Sequence, residues 1–223
     1  LRRQRQMCIR DRAGWRHHWR DAHEPFNVVG PLHYVGTKGL SAFLVTTRDG
    51  HILINTGMPS SGPLIEKSVE QLGFELGDIK LMLNSHAHID HVGAFRYLKE
   101  AIKARGGAAT VRAMAQDGET LERGGRSDPV FGNGLTFPAV CVDRELRDGE
   151  KVTLGDVTLI ALRTPGHTKG ATTWLISIKH EGRLYEVVLL PDSGKIRPAP
   201  MALRYAFIRR CRRTHAGLVR ACL

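Results

Sequence analysis

The chain has 223 residues, of which 42% are hydrophobic and 25% charged, and its formal net charge is +11 at neutral pH. This length and composition describe one globular domain that can bury a substantial core. No apolar stretch approaches the ~20 residues of a membrane span, and the four cysteines show no C-x-x-C spacing, so neither a membrane partner nor a disulfide framework is indicated.

The positive charge is concentrated at the two ends of the chain. Residues 1–20 carry a net charge of +6 and residues 195–223 one of +8, which leaves −3 for residues 21–194. The segment MCIRDR at 7–12 resembles the translation of a sequencing adapter. We therefore expect a non-native segment at 1–20, a domain at 21–194 and a truncated or frame-shifted segment at 195–223. Because the basic residues lie in the terminal segments, we expect no nucleic-acid partner, and the oligomeric state stays open.

Hydrophobic periodicity predicts short strands and amphipathic helices along the domain. The predicted strands are 27–34, 42–46, 51–55, 81–83, 109–112, 157–162, 172–179 and 184–190. The predicted helices are 61–72, 93–105 and 114–122, and the Gly-rich stretch 124–134 is predicted to be a loop. Two groups of strands with intervening helices fit two β-sheets sandwiched between helices.

Four side chains that bind metals lie within six residues, in the order His86, His88, Asp90 and His91. They follow an apolar run that predicts a strand and precede a helical pattern, so they lie at the carboxyl end of a strand, where open α/β sheets bind ligands. Imidazole and carboxylate are ligands that zinc prefers. Alternate positions of an extended segment point the same way, so His86 and His88 can share one ion while Asp90 and His91 face a second.

A second candidate segment is the turn TPGHTKG at 164–170, which lies between two predicted strands. Proline and glycine flank His167 and present its side chain from a rigid backbone. A lone histidine on such a turn is usually structural. Together with the earlier cluster, His167 becomes the predicted third ligand of the first ion.

These two motifs resemble those of the metallo-β-lactamase superfamily, in particular its periplasmic β-lactamases whose zinc ligands are histidines and one aspartate without a cysteine. The resemblance covers residues 24–194, and its supporting segments are 34–37, 40–45, 50–57, 72–74, 84–86, 137–138 and 148–150. It implies an αββα sandwich of two mixed β-sheets flanked by helices, with the site at the edge of the sandwich. It also implies export to the periplasm or secretion, although no signal peptide is recognisable in the first residues.

The resemblance assigns a role to each residue of the two motifs. His86, His88 and His167 would hold the first zinc ion, and Asp90 and His91 the second, together with a further histidine near the C-terminus. A hydroxide between the ions would attack the β-lactam carbonyl, whose oxygen the first zinc ion polarises. The second zinc ion would stabilise the negative charge that develops on the amide nitrogen as it leaves. Asp90 is the predicted catalytic residue, which would orient the hydroxide and relay the proton.

Three further positions bear on this interpretation. Ser193 lies where the family often has a serine near the second metal, so it is a candidate substrate-binding residue or an ordinary strand-end hydroxyl. Asn55 stands where many relatives have aspartate beneath the metal loop, and it would support the site without adding charge. His215 has a helix-like context rather than the Gly/Pro-flanked loop expected of the last ligand. We therefore expect an incomplete second site, about one tightly held zinc ion and weak or no activity.

Two other function classes stay open. One is another hydrolase of the same superfamily, such as a lactonase or a thioester hydrolase, in which Asp192 would bridge both metals. The other is a non-catalytic zinc-binding remnant, which the missing final ligand favours.

Overall fold

The computed structural model of the protein describes residues 16–191 and the backbone of residues 206–210. The roles predicted for Asp192, Ser193 and His215 fall outside the described residues. So do the adapter-like segment and most of residues 195–223.

Twelve strands and four α-helices are described. The strands are β1 (Phe26–Val29), β2 (Leu32–Tyr34), β3 (Phe43–Thr47), β4 (Gly50–Ile54), β5 (Ile79–Leu83), β6 (Thr110–Met114), β7 (Arg144–Leu146), β8 (Glu150–Leu154), β9 (Val157–Arg163), β10 (Thr172–His180), β11 (Arg183–Leu189) and β12 (Ala206–Arg210). The helices are α1 (Gly62–Gln71), α2 (Ile89–Val92), α3 (Phe95–Ala104) and α4 (Ala115–Glu122). Short 3-10 helices occupy Arg16–Arg20, Pro59–Ser61 and Leu76–Asp78. None of the helices described is long and apolar enough to cross a membrane.

The strands form two sheets, which confirms the predicted sandwich. The first sheet has the order β1 to β7; β1 to β4 pair antiparallel, and β4 to β7 pair parallel. The second has the order β12-β11-β10-β9-β8. All of its described pairs are antiparallel, so only the first sheet is mixed, not both as predicted. Hairpins connect β8 to β9 and β10 to β11 in the second sheet, whereas helices cross between the parallel strands of the first.

Two apolar cores hold these layers together. The first lies between the sheets and includes Trp174, which is 1% exposed. The second lies between the seven-stranded sheet and the helices. In α3, Phe95, Leu98 and Ile102 recur at helical spacing and are fully buried, so this face of the helix packs on the sheet.

Local details differ from the predicted elements. The single strand predicted at 27–34 is the hairpin β1–β2, which turns at Gly30 with a positive φ of 51°. The helix predicted at 93–105 begins at Phe95, and a separate single turn, α2, precedes it. Strands β7 and β8 were not predicted, because only two of their eight residues are buried and they lack a strong hydrophobic pattern.

The parallel part of the first sheet determines where the site lies. Because β4, β5 and β6 run in the same direction, the segments after their carboxyl ends meet at one edge of the sheet. The second sheet contacts the same edge. The Thr172 amide donates a hydrogen bond to the Ser85 carbonyl (2.7 Å), and the indole N–H of Trp174 donates one to the Asn84 carbonyl (3.1 Å).

Candidate metal centre

The histidine loop begins directly after β5 and ends in α2. His88 has extended backbone angles (φ −112°, ψ 157°), and the helical turn starts at the next residue, so Asp90 and His91 project from a helix rather than from an extended loop. His86, His88 and His91 are 1%, 5% and 7% exposed. Three imidazoles are therefore buried on one short segment.

The structure brings His167 to this segment. Nitrogen atoms of His86, His88 and His167 all lie within 4.8 Å of one another. The ring centroids are 5.0 Å apart for His86 and His88, 4.6 Å for His86 and His167, and 4.7 Å for His88 and His167. Three imidazoles from two distant stretches thus surround one position that could hold a cation.

The second predicted pair lies beside the first group. Ligand atoms of His86, Asp90 and His91 also lie within 4.8 Å of one another. Nε2 of His91 is 3.8 Å from a carboxylate oxygen of Asp90, and the rings of His86 and His91 are 3.8 Å apart. His86 belongs to both groups, which the sequence did not predict. The five side chains form one continuous cluster with room for two ligand sets.

The chemistry of the cluster fits a divalent cation. Both ring nitrogens of His86, and Nε2 of His88, are buried without a hydrogen-bond partner among the described residues. Burial and the neighbouring imidazoles lower the pKa of His86 well below its usual value and that of His88 to about 4. The Pro191 carbonyl acts in the opposite direction and raises the pKa of His86, but it does not form a hydrogen bond with this ring. Both rings are therefore neutral at pH 7 and offer lone pairs, and nitrogen ligands with one carboxylate suit zinc.

Asn55 supports the cluster indirectly. It has a positive φ of 62°, a conformation that asparagine tolerates better than most residues. Its Oδ1 accepts hydrogen bonds from the backbone N–H (2.8 Å) and the hydroxyl (3.1 Å) of Ser85. Since that hydroxyl donates to Asn55, its oxygen can accept from Nδ1 of His91 (3.0 Å). In the tautomer that fits these contacts, the proton of His91 is on Nδ1 and the lone pair is on Nε2, which lies 3.8 Å from a carboxylate oxygen of Asp90.

Two buried carboxylates at the site were missed from the sequence. Asp128 lies in the predicted Gly-rich loop, and its Oδ2 is 3.3 Å from Nε2 of His88, outside hydrogen-bonding geometry. Its Oδ1 accepts from the amides of Val130 and Phe131, both at 2.8 Å. The Phe131 ring lies 5.1 Å from His88, so the loop does flank the site. The sequence signal was an Asp-Pro turn within a Gly-rich stretch.

Asp117, in the first turn of α4, is 1% exposed and accepts three hydrogen bonds from the two ligand-bearing segments. Burial raises the pKa of its carboxyl, and the donated hydrogen bonds act in the opposite direction. Nothing in the local sequence distinguishes this aspartate from a solvated one in the first turn of a helix.

Comparison with known proteins agrees with this geometry. A family profile described as the Metallo-beta-lactamase superfamily matches residues 35–177. The subclass B3 metallo-beta-lactamase BJP-1 of Bradyrhizobium japonicum is 38% identical, with a TM-score of 0.73 over 81% of this chain and 66% of that one. The metallo-beta-lactamase FEZ-1 of Legionella gormanii is 37% identical, with a TM-score of 0.74 over 80% of this chain and 66% of that one.

Curated relatives are more distant. A probable metallo-hydrolase of Burkholderia pseudomallei is 27% identical over 152 residues, which cover 62% of this chain and 49% of that protein. A cytoplasmic hydroxyacylglutathione hydrolase of Arabidopsis thaliana is 29% identical over 115 residues, which cover 51% of this chain and 35% of that protein. The chain thus spans half or less of the length of these two relatives, and just under two thirds of the two solved structures. Its family match, its two-sheet fold and its His/Asp cluster together place the chain in the metallo-beta-lactamase superfamily.

Proposed function

We propose that this metallo-hydrolase superfamily member is a zinc-dependent β-lactamase that opens the amide bond of β-lactam antibiotics. The observation that carries the proposal is the cluster of His86, His88, His167, Asp90 and His91 within a fold similar to subclass B3 enzymes. Its substrate would be a small molecule, its compartment the periplasm or the outside of the cell, and we propose no nucleic-acid or membrane partner.

His86, His88 and His167 would hold the first zinc ion. Asp90 and His91 would hold the second, together with a ligand from outside the described residues. Zinc, when bound, acts as a Lewis acid and lowers the pKa of a bound water molecule to about 7.

The protein side chains would do the rest. The Asp90 side chain is 24% exposed, so its carboxylate is accessible to a water molecule, which it would orient for attack and from which it would accept a proton. Asn55 would orient His91 through Ser85. Phe131 would exclude water beside His88. We propose Ser193 as a contact for the substrate.

Thioester hydrolysis is the second candidate, because the chain also resembles the Arabidopsis hydroxyacylglutathione hydrolase over 115 residues. That activity would call on Asp192 as a ligand shared by both ions. A lactonase and a non-catalytic zinc-binding remnant are further outcomes that the same assays separate.

The test compares substrates on the full chain supplied with zinc. Nitrocefin and a carbapenem are assayed beside an acyl-homoserine lactone and a glutathione thioester. We expect weak turnover, and of the β-lactams alone, with about one zinc ion held tightly. The variant His167→Ala should abolish turnover, whereas His180→Ala, at a half-exposed histidine that ends β10, should not. Turnover of the lactone or thioester without that of a β-lactam would reject the proposal, and zinc binding without any turnover would favour the remnant.

A further inference from the structure

We propose that Asp117 is a positioning residue that sets the spacing of the first metal site by joining the two backbone segments that carry its ligands. This inference rests on the zinc site proposed above and assigns Asp117 no direct contact with metal or substrate.

The contacts of the carboxylate are divided between the two segments. Oδ2 of Asp117 accepts hydrogen bonds from the amide of Ala87 (3.0 Å) and from the hydroxyl of Thr168 (2.8 Å). Oδ1 accepts from the amide of Gly170 (2.9 Å). Ala87 lies between His86 and His88, and Thr168 directly follows His167. One carboxylate therefore bonds next to all three proposed ligands of the first ion.

The turn that carries His167 packs closely against this buried carboxylate. Asp117 is 1% exposed. A Cβ atom on Gly170 would lie 2.6 Å from Cγ of Asp117 and 2.7 Å from both its backbone nitrogen and Oδ1. Such distances are far below ordinary contact, so the turn rests directly on the Asp117 side chain. A glycine at 170 is required for this close approach.

The backbone of Asp117 is itself well fixed, because α4 follows directly after β6 in the middle of the parallel part of the first sheet. The two ligand-bearing segments are also joined where β10 begins, by the hydrogen bond from Thr172 to Ser85 and the one from Trp174 to Asn84. These contacts do not involve Asp117. We therefore expect the sandwich to survive loss of the carboxylate, while the distance from His167 to His86 and His88 becomes less well defined.

The experiment measures zinc affinity of the full apo chain by competition with a chromophoric chelator, and the ligand-field spectrum after cobalt substitution. Asp117→Asn keeps the size of the side chain but turns one acceptor into a donor that faces N–H or O–H groups. We expect a loss of zinc affinity of about tenfold or more, the size typical of altered supporting hydrogen bonds at metal sites. The cobalt spectrum should change, and circular dichroism should stay that of the native fold.

Asp143→Asn is the matched control. Asp143 also accepts a backbone hydrogen bond, from Val111, and pairs with Lys99, but it contacts neither ligand-bearing segment. This variant should bind zinc like the wild type. Thr168→Ser should retain zinc affinity and the cobalt spectrum because it keeps the hydroxyl, whereas Thr168→Val should lose part of the affinity.

Equal zinc affinity in wild type and Asp117→Asn, or an equal loss in Asp143→Asn, would overturn the role of Asp117. If Asp117→Asn does not fold, the Thr168 pair decides, and equal affinities of its two members would overturn the proposal. A wild-type chain that binds no zinc would instead overturn the metal site and this inference with it. A chain that binds zinc as described but does not hydrolyse β-lactams would contradict only the proposed function.

Discussion

The hydroxyl of Ser85 offers a direct test of how the site is held before any metal binds. Ser85 is 2% exposed, and its hydroxyl makes two contacts, with Asn55 (3.1 Å) and with Nδ1 of His91 (3.0 Å). The variant Ser85→Ala removes both contacts. Oδ1 of Asn55 keeps the backbone amide of residue 85 as a donor, while the buried His91 ring loses this hydroxyl.

The expected magnitude follows from these contacts. A neutral hydrogen bond contributes about 0.5–1.5 kcal/mol, and Ser85→Ala removes two of them, to Asn55 and to His91. We therefore expect Ser85→Ala to lower the free energy of unfolding of the apo protein by about 1–3 kcal/mol, measured by urea denaturation at pH 7.5. The Nδ1–H resonance of His91 in NMR spectra should also shift, because its acceptor is gone.

Ser177→Ala is the control, since the Ser177 hydroxyl also makes one side-chain hydrogen bond, to Glu186 at 2.8 Å, but in an exposed setting. We expect its effect on stability to stay within about 0.5 kcal/mol. Equal unfolding free energies for the two variants would refute the reasoning, because they would show that the Ser85 hydroxyl does not support a buried imidazole.

Two further predictions concern pH and the turn that carries His167. Burial lowers the pKa of His33 in the folded protein, as it does for His88, whose pKa falls to about 4, while the unfolded rings titrate near 6.5. As the pH falls, the unfolded state therefore binds protons before the folded state does, and the melting temperature of the apo protein should fall as the pH drops from 7 toward 4. The variant His33→Gln should make this dependence of melting temperature on pH less steep. An unchanged dependence would contradict the lowered pKa of His33. Gly170→Ala should weaken zinc binding and lower the melting temperature, because the new Cβ meets Asp117 at 2.6 Å, whereas Gly166→Ala on the same turn has open space and should behave like the wild type. Equal behaviour of the two glycine variants would contradict the close packing of the turn.

Much of the fold and the candidate ligands could be predicted because their signals are local. The apolar run of β5 and the helical spacing of α3 bracket the histidine loop, and both elements form close to the predicted positions. The flanking proline and glycine of His167 likewise indicate a tight turn. The carboxylate at 117 carries no such signal, and the Asp-Pro turn at 128 indicates a turn but not its proximity to His88, because the partners of both lie far away in the chain or across a loop.

The sequence by itself determined the donor chemistry of this protein: four imidazoles and a carboxylate, in a loop after a strand and on a Pro/Gly-flanked turn, suffice to indicate a metallo-hydrolase. Only the tertiary structure decided how those donors meet. The parallel register of β4, β5 and β6 brings Asn55, the histidine loop and Asp117 to one edge, and the second sheet carries His167 to the same place. Side-chain type is encoded residue by residue, whereas distances between side chains depend on strand pairing and on buried hydrogen bonds that no short segment contains.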